Sequence, residues 1–244
     1  MNNVALWMSQ PHHGFLEIAR ACGINALVLE LEHGTFDLAT LDQFLAYTKM
    51  VGMRTLTKVI APRAESIQQP LDFGSDGVIV PHLLGVEHAR EVTKAAKYPQ
   101  KGVRSFSGGR VYGYGAPTSD ALETENRRTK CYAMIETAES LADVERIIEL
   151  DTVDGLFPGP SDLALARGRG AYDFGEADRV DLKRIATAAR NAGKPWAMPA
   201  WSASERQFAL DHGAELLVVA TQNMTIHAGI MSTLGALKSE KIIP

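Results

Sequence analysis

Val153-Asp154-Gly155-Leu156-Phe157-Pro158-Gly159-Pro160-Ser161-Asp162-Leu163-Ala164 (residues 153–164) passes from a short apolar run into the start of a helix. The run from Val153 to Phe157 reads as a strand buried on both faces. Asp162 then stands at a strand-to-helix junction, beside backbone N–H groups free to hold an anion. A second run, Tyr132-Ala133-Met134-Ile135-Glu136-Thr137, closes on another carboxylate, Glu136. If both strands belong to one parallel barrel, both acids project from its C-terminal rim. Two acids on one rim can hold a divalent cation, with an anion bound next to it. Those are the parts of a metal-dependent enzyme that acts on a small acid.

The pattern repeats in both directions along the chain. Strand-like runs occur at Val4–Met8, Ala26–Leu31, Arg54–Val59, Gly77–Val80, Cys131–Ile135, Gly155–Phe157, Pro195–Met198 and Leu216–Ala220. Amphipathic segments separate them at Gly14–Cys22, Leu38–Val51, Ala64–Phe73, Val86–Ala96, Ala138–Ile148, Asp178–Ala192 and Ser202–His212, and Met224–Leu237 follows the last strand. Several helices end at glycine (Gly23, Gly74, Gly193, Gly213), the residue suited to a left-handed C-cap. Alternating β and α units without a compositional break predict an α/β fold, a single (β/α)8 TIM barrel over residues 1–244. A doubly wound open sheet is the rival, but no Gly-x-Gly-x-x-Gly follows the first strand. Lys101–Arg128 is rich in Gly, Ser, Tyr and Arg and shows no period. It reads as a long functional loop on the top face or at a neighbouring subunit.

Composition narrows the function. The 244 residues are 45% hydrophobic and 22% charged, with net charge −4. That is ordinary for a globular chain able to bury a full core. Lys and Arg are dispersed, which argues against nucleic-acid and membrane-surface partners. Cys22 and Cys131 both sit in apolar contexts and read as reduced core thiols. No signal peptide or bilayer-spanning run is present, so a cytoplasmic location is expected.

Polar groups interrupt the apolar frame at four strand ends: Glu30-Leu31-Glu32-His33-Gly34, Lys58, Glu136 and Asp162. The motifs Glu-Leu-Glu-His-Gly, Met-Ile-Glu-Thr and Gly-Pro-Ser-Asp-Leu-Ala, in this order and spacing, resemble the HpcH/HpaI aldolases, the metal-dependent class II pyruvate aldolases. The resemblance runs from about Val4 to the last helix. It implies a (β/α)8 barrel, commonly assembled as a homo-hexamer with the last helix (residues 224–237) packed on a neighbour. It assigns Glu136 and Asp162 as ligands of a divalent metal, Mg2+ or Mn2+ with Co2+ acceptable, in keeping with hard oxygen donors. It assigns His33 as general base and Asp72 as the acid that orients it. Gly159, Ser161 and Asp162 would hold the substrate carboxylate at the helix start. Lys58 stands where the family usually has arginine and would support an enolate oxygen as a point charge. A Schiff-base role for Lys58 is the alternative for that residue. His12 and His13 follow the first strand, near the same rim.

Other departures are Glu30 for the family's aspartate, Met134 for its glutamine, and Val219-Ala220-Thr221-Gln222 where it tends to have Gly and Asp. The implied activity is cleavage of a 4-hydroxy-2-oxoacid to pyruvate and an aldehyde, and the reverse addition. Decarboxylation of oxaloacetate through the same enolate, or oxoacid binding with little turnover, are the other readings.

Overall fold

The computed structural model describes residues 3–244. The elements run β1 (Asn3–Met8), α1 (His13–Ala21), β2 (Ala26–Glu30), α2 (Leu38–Met50), β3 (Arg54–Lys58), α3 (Ala64–Phe73), β4 (Gly77–Val80) and α4 (Val86–Thr93). They continue with α5 (Ser119–Arg128), β5 (Lys130–Ile135), α6 (Ala138–Ala142), α7 (Val144–Ile148), β6 (Gly155–Pro158) and α8 (Pro160–Ala166). The last are α9 (Glu176–Asn191), β7 (Ala197–Pro199), α10 (Ala203–Asp211), β8 (Leu216–Thr221) and α11 (Gln222–Ser239).

All eight strands pair in parallel in the order β6-β5-β4-β3-β2-β1-β8-β7. A bridge between Leu156 and Trp196 joins the two outer strands, and the Leu156 N–H donates to Pro195 O at 3.1 Å. The sheet therefore closes on itself, the (β/α)8 barrel that the alternation predicts.

Period-2 alternation sorts each strand into two faces. Ala26 and Val28 of β2, Leu56 of β3, Tyr132 and Met134 of β5, Phe157 of β6 and Val218 of β8 pack together inside the barrel. Their neighbours Leu27 and Leu29 face outward against Leu41, Phe44 and Leu45 of α2. Val78, Val80, Ala133 and Ile135 face the helices on the other side. The inward stripes continue upward as Glu30, Lys58 and Glu136, which places three ionisable groups over the barrel core.

Several sequence expectations are corrected. The segment 101–128 is not a loop throughout, because its last third is α5. The part around Ser105 and Arg110 rests on the helix layer rather than over the cleft at the barrel rim. It lies along α2 and α3: the Ser105 N–H donates to Gln68 Oε1 at 3.1 Å, and Arg110 donates to Asp42 Oδ1 at 2.7 Å and Phe73 O at 2.9 Å. The expected helix Val86–Ala96 stops at Thr93 and tightens into a 3-10 turn over Lys94–Ala96. The expected helix Ala138–Ile148 divides at Asp143. Cys131 is a core thiol, but Cys22 is exposed at the end of α1. Burial pushes the Cys131 thiol up to about 12, well removed from reactivity.

The glycine caps hold as expected. Gly74, with φ 107°, ends α3 in a left-handed conformation and turns the chain toward β4. No helix among the described residues is long and apolar enough to cross a membrane.

Candidate active site

Strand register builds the rim. Glu30 of β2 pairs with Lys58 of β3, so an acid and a base emerge side by side. Ile135 of β5 pairs with Pro158 of β6, so the residues that follow, Glu136 and Gly159, are also neighbours. Gly159 is required there. A Cβ on it would stand 2.8 Å from Glu136 Cβ, Glu136 Oε2 and Met134 Cε.

The ionisable groups form a connected chain. Lys58 Nζ donates to Glu30 Oε1 at 3.2 Å and to Glu32 Oε2. Glu30 Oε1 also accepts the N–H groups of Glu32 at 2.9 Å and His33 at 3.3 Å, which folds the turn after β2 back over the rim. Glu32 Oε1 lies 2.6 Å from His82 Nε2. The His82 backbone N–H donates to Glu136 Oε1 at 2.6 Å. Glu30, Lys58 and Glu136 are each at most 3% exposed. Charges so buried persist only when paired.

The titration preferences follow from this wiring. Burial alone would lower Lys58, but its hydrogen bond to Glu32 and the charges of Glu30 and Glu32 outweigh that and raise it above the ordinary lysine value. Lys58 is thus held as an ammonium. That opposes the Schiff-base alternative, which needs a neutral amine. Burial tends to raise Glu32, yet bonds to Lys58 and His82 bring it below its ordinary value. Burial raises the Glu136 carboxyl; the His82 N–H bond and the His82 and Lys58 charges resist this, and the Asp162 charge adds to it. Glu136 and Asp162 therefore feel each other across the rim.

Above the barrel lies an open cleft with a cavity volume of about 150 Å³, smaller than the pockets that hold drug-sized ligands. Its polar lining is Glu30, Lys58, His33, Ser161 and Asp162. Its apolar lining is Trp7, Met134, Pro199 and Trp201. Pro160 opens α8 and no side chain caps that helix. Glu136 lies one layer down, against Gly159.

Lys58, His33, Gly159, Ser161 and Asp162 therefore share one cleft, with Glu136 beneath them. His33 is exposed, and its Nε2 is 3.7 Å from Glu32 Oε1. Asp72 departs from expectation. It sits in the last turn of α3, about 12 Å down the axis from the helix start, and its Oδ1 accepts from the buried Arg104 at 2.6 Å. Among the described residues of one chain, no contact joins it to His33. His12 and His13 also lie apart from the cleft. The His12 ring caps α1 by accepting the Phe15 N–H at 3.0 Å, and the His13 ring meets Phe44 and Tyr47 edge-on. Met134 is both core and cleft wall.

Glu32, His82, Trp7 and Trp201 were not assigned from sequence. Glu32 lies inside the quoted Glu-Leu-Glu-His-Gly motif. His82 and Trp7 were legible as residues at, or facing inward near, the top of a strand. Trp201 follows the shortest strand and left no periodic signal.

A closed parallel barrel with buried, paired charges around a small cleft at its C-terminal rim defines the class: a (β/α)8 barrel with its site at the rim position typical of enzymes of this fold. The chain belongs to the HpcH/HpaI aldolase/citrate lyase family, whose sequence model matches residues 3–221. A 4-hydroxy-2-oxovalerate aldolase of Novosphingobium aromaticivorans is 28% identical over 228 residues, covering 93% of this chain and 86% of that protein. A hydroxypyruvate/pyruvate aldolase of Roseovarius nubinhibens is 31% identical over 188 residues, covering 72% and 71%. Among solved structures, the citrate synthase SbnG superposes with a TM-score of 0.89 at 21% identity, covering 99% of this chain and 95% of that one. That similarity concerns the fold.

Proposed function

We propose that this chain is a divalent-metal-dependent aldolase that cleaves a 4-hydroxy-2-oxoacid to pyruvate and an aldehyde, and catalyses the reverse addition. The observation that carries the reading is the buried Glu136 beside the cleft-facing Asp162, opposite the Lys58 ammonium. The curated relatives named above, both aldolases, support it.

The donor set fits a hard cation. Glu136 Oε1 is taken by the His82 N–H, while no donor among the described residues bonds Oε2. Asp162 lies within reach of its field. No cluster of three His, Cys, Asp or Glu side chains that could hold a cation occurs among the described residues. Two carboxylates with water and substrate completing the shell suit Mg2+ or Mn2+, with Co2+ acceptable. When bound there, such an ion supplies Lewis acidity to the 2-oxo group.

The protein's own groups do the rest. The N–H groups of Ser161 and Asp162, at the uncapped start of α8, hold the substrate carboxylate. Lys58, kept cationic by Glu30 and Glu32, faces the oxygen on which negative charge grows as the C3–C4 bond breaks. His33, open to solvent at the cleft mouth, takes the proton from the 4-hydroxyl and returns one to the product. Trp7 and Trp201 form the apolar wall against which the aldehyde lies.

The test is a panel of aldehydes with pyruvate, and the cleavage assay, run after exhaustive chelation and after adding back Mg2+, Mn2+ or Co2+. Turnover is expected to vanish on chelation and return with metal. Full activity after chelation would remove the metal from the reading. Borohydride with pyruvate is expected to leave the protein mass unchanged; an added pyruvyl mass would restore the Schiff-base route.

The same reading includes a homo-oligomer, hexameric by family resemblance. On α11, Ile226, Ile230 and Leu234 recur every fourth residue and are 44%, 55% and 37% exposed. Such a stripe calls for a cover, and a second copy of this chain is the occupant proposed. Sedimentation at the mass of six chains is expected, with Ile230→Asp shifting the protein to a smaller species. A wild-type monomer at micromolar concentration would reject the assembly.

A further inference from the structure

His82 follows Pro81 at the top of β4 and adopts φ 55°. That left-handed conformation is uncommon for a residue with a side chain, though histidine tolerates it better than most. Two features keep it there. Its ring Nε2 is 2.6 Å from Glu32 Oε1, and Glu32 is itself fixed by Lys58. The following residue is strapped to the N-cap of α6, because Thr137 Oγ1 donates to Leu83 O at 2.6 Å. The outcome is that the His82 N–H points at Glu136 and takes Oε1. The carboxylate is then fixed in one rotation, with Oε2 against Gly159.

We propose that His82 is a positioning residue: its imidazole, tethered to Glu32, holds residue 82 in a left-handed turn whose N–H occupies one oxygen of Glu136 and reserves the other for a divalent cation. This rests on the metal reading given above. Outer partners that orient a ligating carboxylate typically contribute 10–100-fold to metal affinity. The role needs two things of residue 82: tolerance of a positive φ, and a side-chain donor to Glu32. Asparagine offers both, glycine only the first, and leucine neither.

The experiment is Mn2+ binding followed by electron paramagnetic resonance for wild type, His82→Asn, His82→Gly and His82→Leu, with circular dichroism on each. His82→Leu and His82→Gly are expected to bind Mn2+ about 10–100-fold more weakly, and His82→Asn within about threefold of wild type. Glycine keeps the arm informative should the leucine variant fail to fold, since it adopts the backbone without strain. Mn2+ affinity in His82→Gly equal to wild type would overturn the proposal while leaving the metal reading in place. Wild type that binds no Mn2+ would overturn both.

Discussion

Glu136→Gln should lower kcat/KM by about 10³-fold or more, equivalent to about 4 kcal/mol of transition-state stabilisation, without unfolding the barrel. The substitution keeps the size of the side chain and an oxygen for the His82 N–H. It removes only the charge. Because burial raises this carboxyl, the folded state prefers it neutral, and the ionised form costs stability at neutral pH. The sign follows: the cost is complete above the raised folded value, shrinks as pH falls below it, and vanishes near the ordinary carboxylate value of the unfolded chain. Glu136→Gln should therefore melt at or above the wild-type temperature at pH 7, with the gap closing toward pH 5. Calorimetry across that range, beside steady-state kinetics, checks both halves. A Gln variant that is markedly less stable at pH 7, or that retains a tenth of wild-type turnover, would show that Glu136 serves the fold rather than the reaction.

Lys58→Met should be damaging in a different way. Among the described residues, Lys58 is the one cation bonded to both Glu30 and Glu32. Its loss leaves buried carboxylate charge unpaired, a change that typically costs about 3 kcal/mol. In a chain of this length that corresponds to a fall of roughly 6–12 °C in melting temperature. Activity should fall as well, by about 10²-fold or more, because the proposed reaction sets this charge against the substrate oxygen. Lys58→Met combined with Glu30→Gln separates the two effects. The double variant should regain most of the lost stability and none of the activity. Recovery of turnover in the double variant would mean that Lys58 acts only by neutralising Glu30. Lys58→Arg, which restores the residue usual in the family, should keep the fold and retain measurable turnover.

How much of this was written in the sequence differs from element to element. The barrel was legible because its strands are continuous apolar runs bounded by glycine-ended helices, and Glu136 and Asp162 stood out as acids closing such runs. The segment α5 was not legible. Its buried side is polar: Glu125 bonds to Arg128, and Asn126 accepts the Tyr98 N–H at 2.7 Å. A helix that docks through such groups carries no hydrophobic period. The role of Asp72 came from the family resemblance alone; within one chain α3 carries it away from the rim, and Arg104 reaches it from a segment with no pattern. His82 was missed because its contribution is made by a backbone N–H at a positive φ, a property of conformation rather than residue type.

Gly159 has a consequence for how this chain diverges over time. Every single-base change in a glycine codon that alters the residue introduces a side chain or stops translation. The first carbon of any such side chain falls where Glu136 and Met134 already are. Drift away from glycine at this position has no neutral first step, whereas Trp7, Trp201 and Thr221 line the cleft under no such veto. Lineages descended from this sequence should therefore explore new partner molecules by altering the aromatic wall, while the acid beneath Gly159 stays where it is.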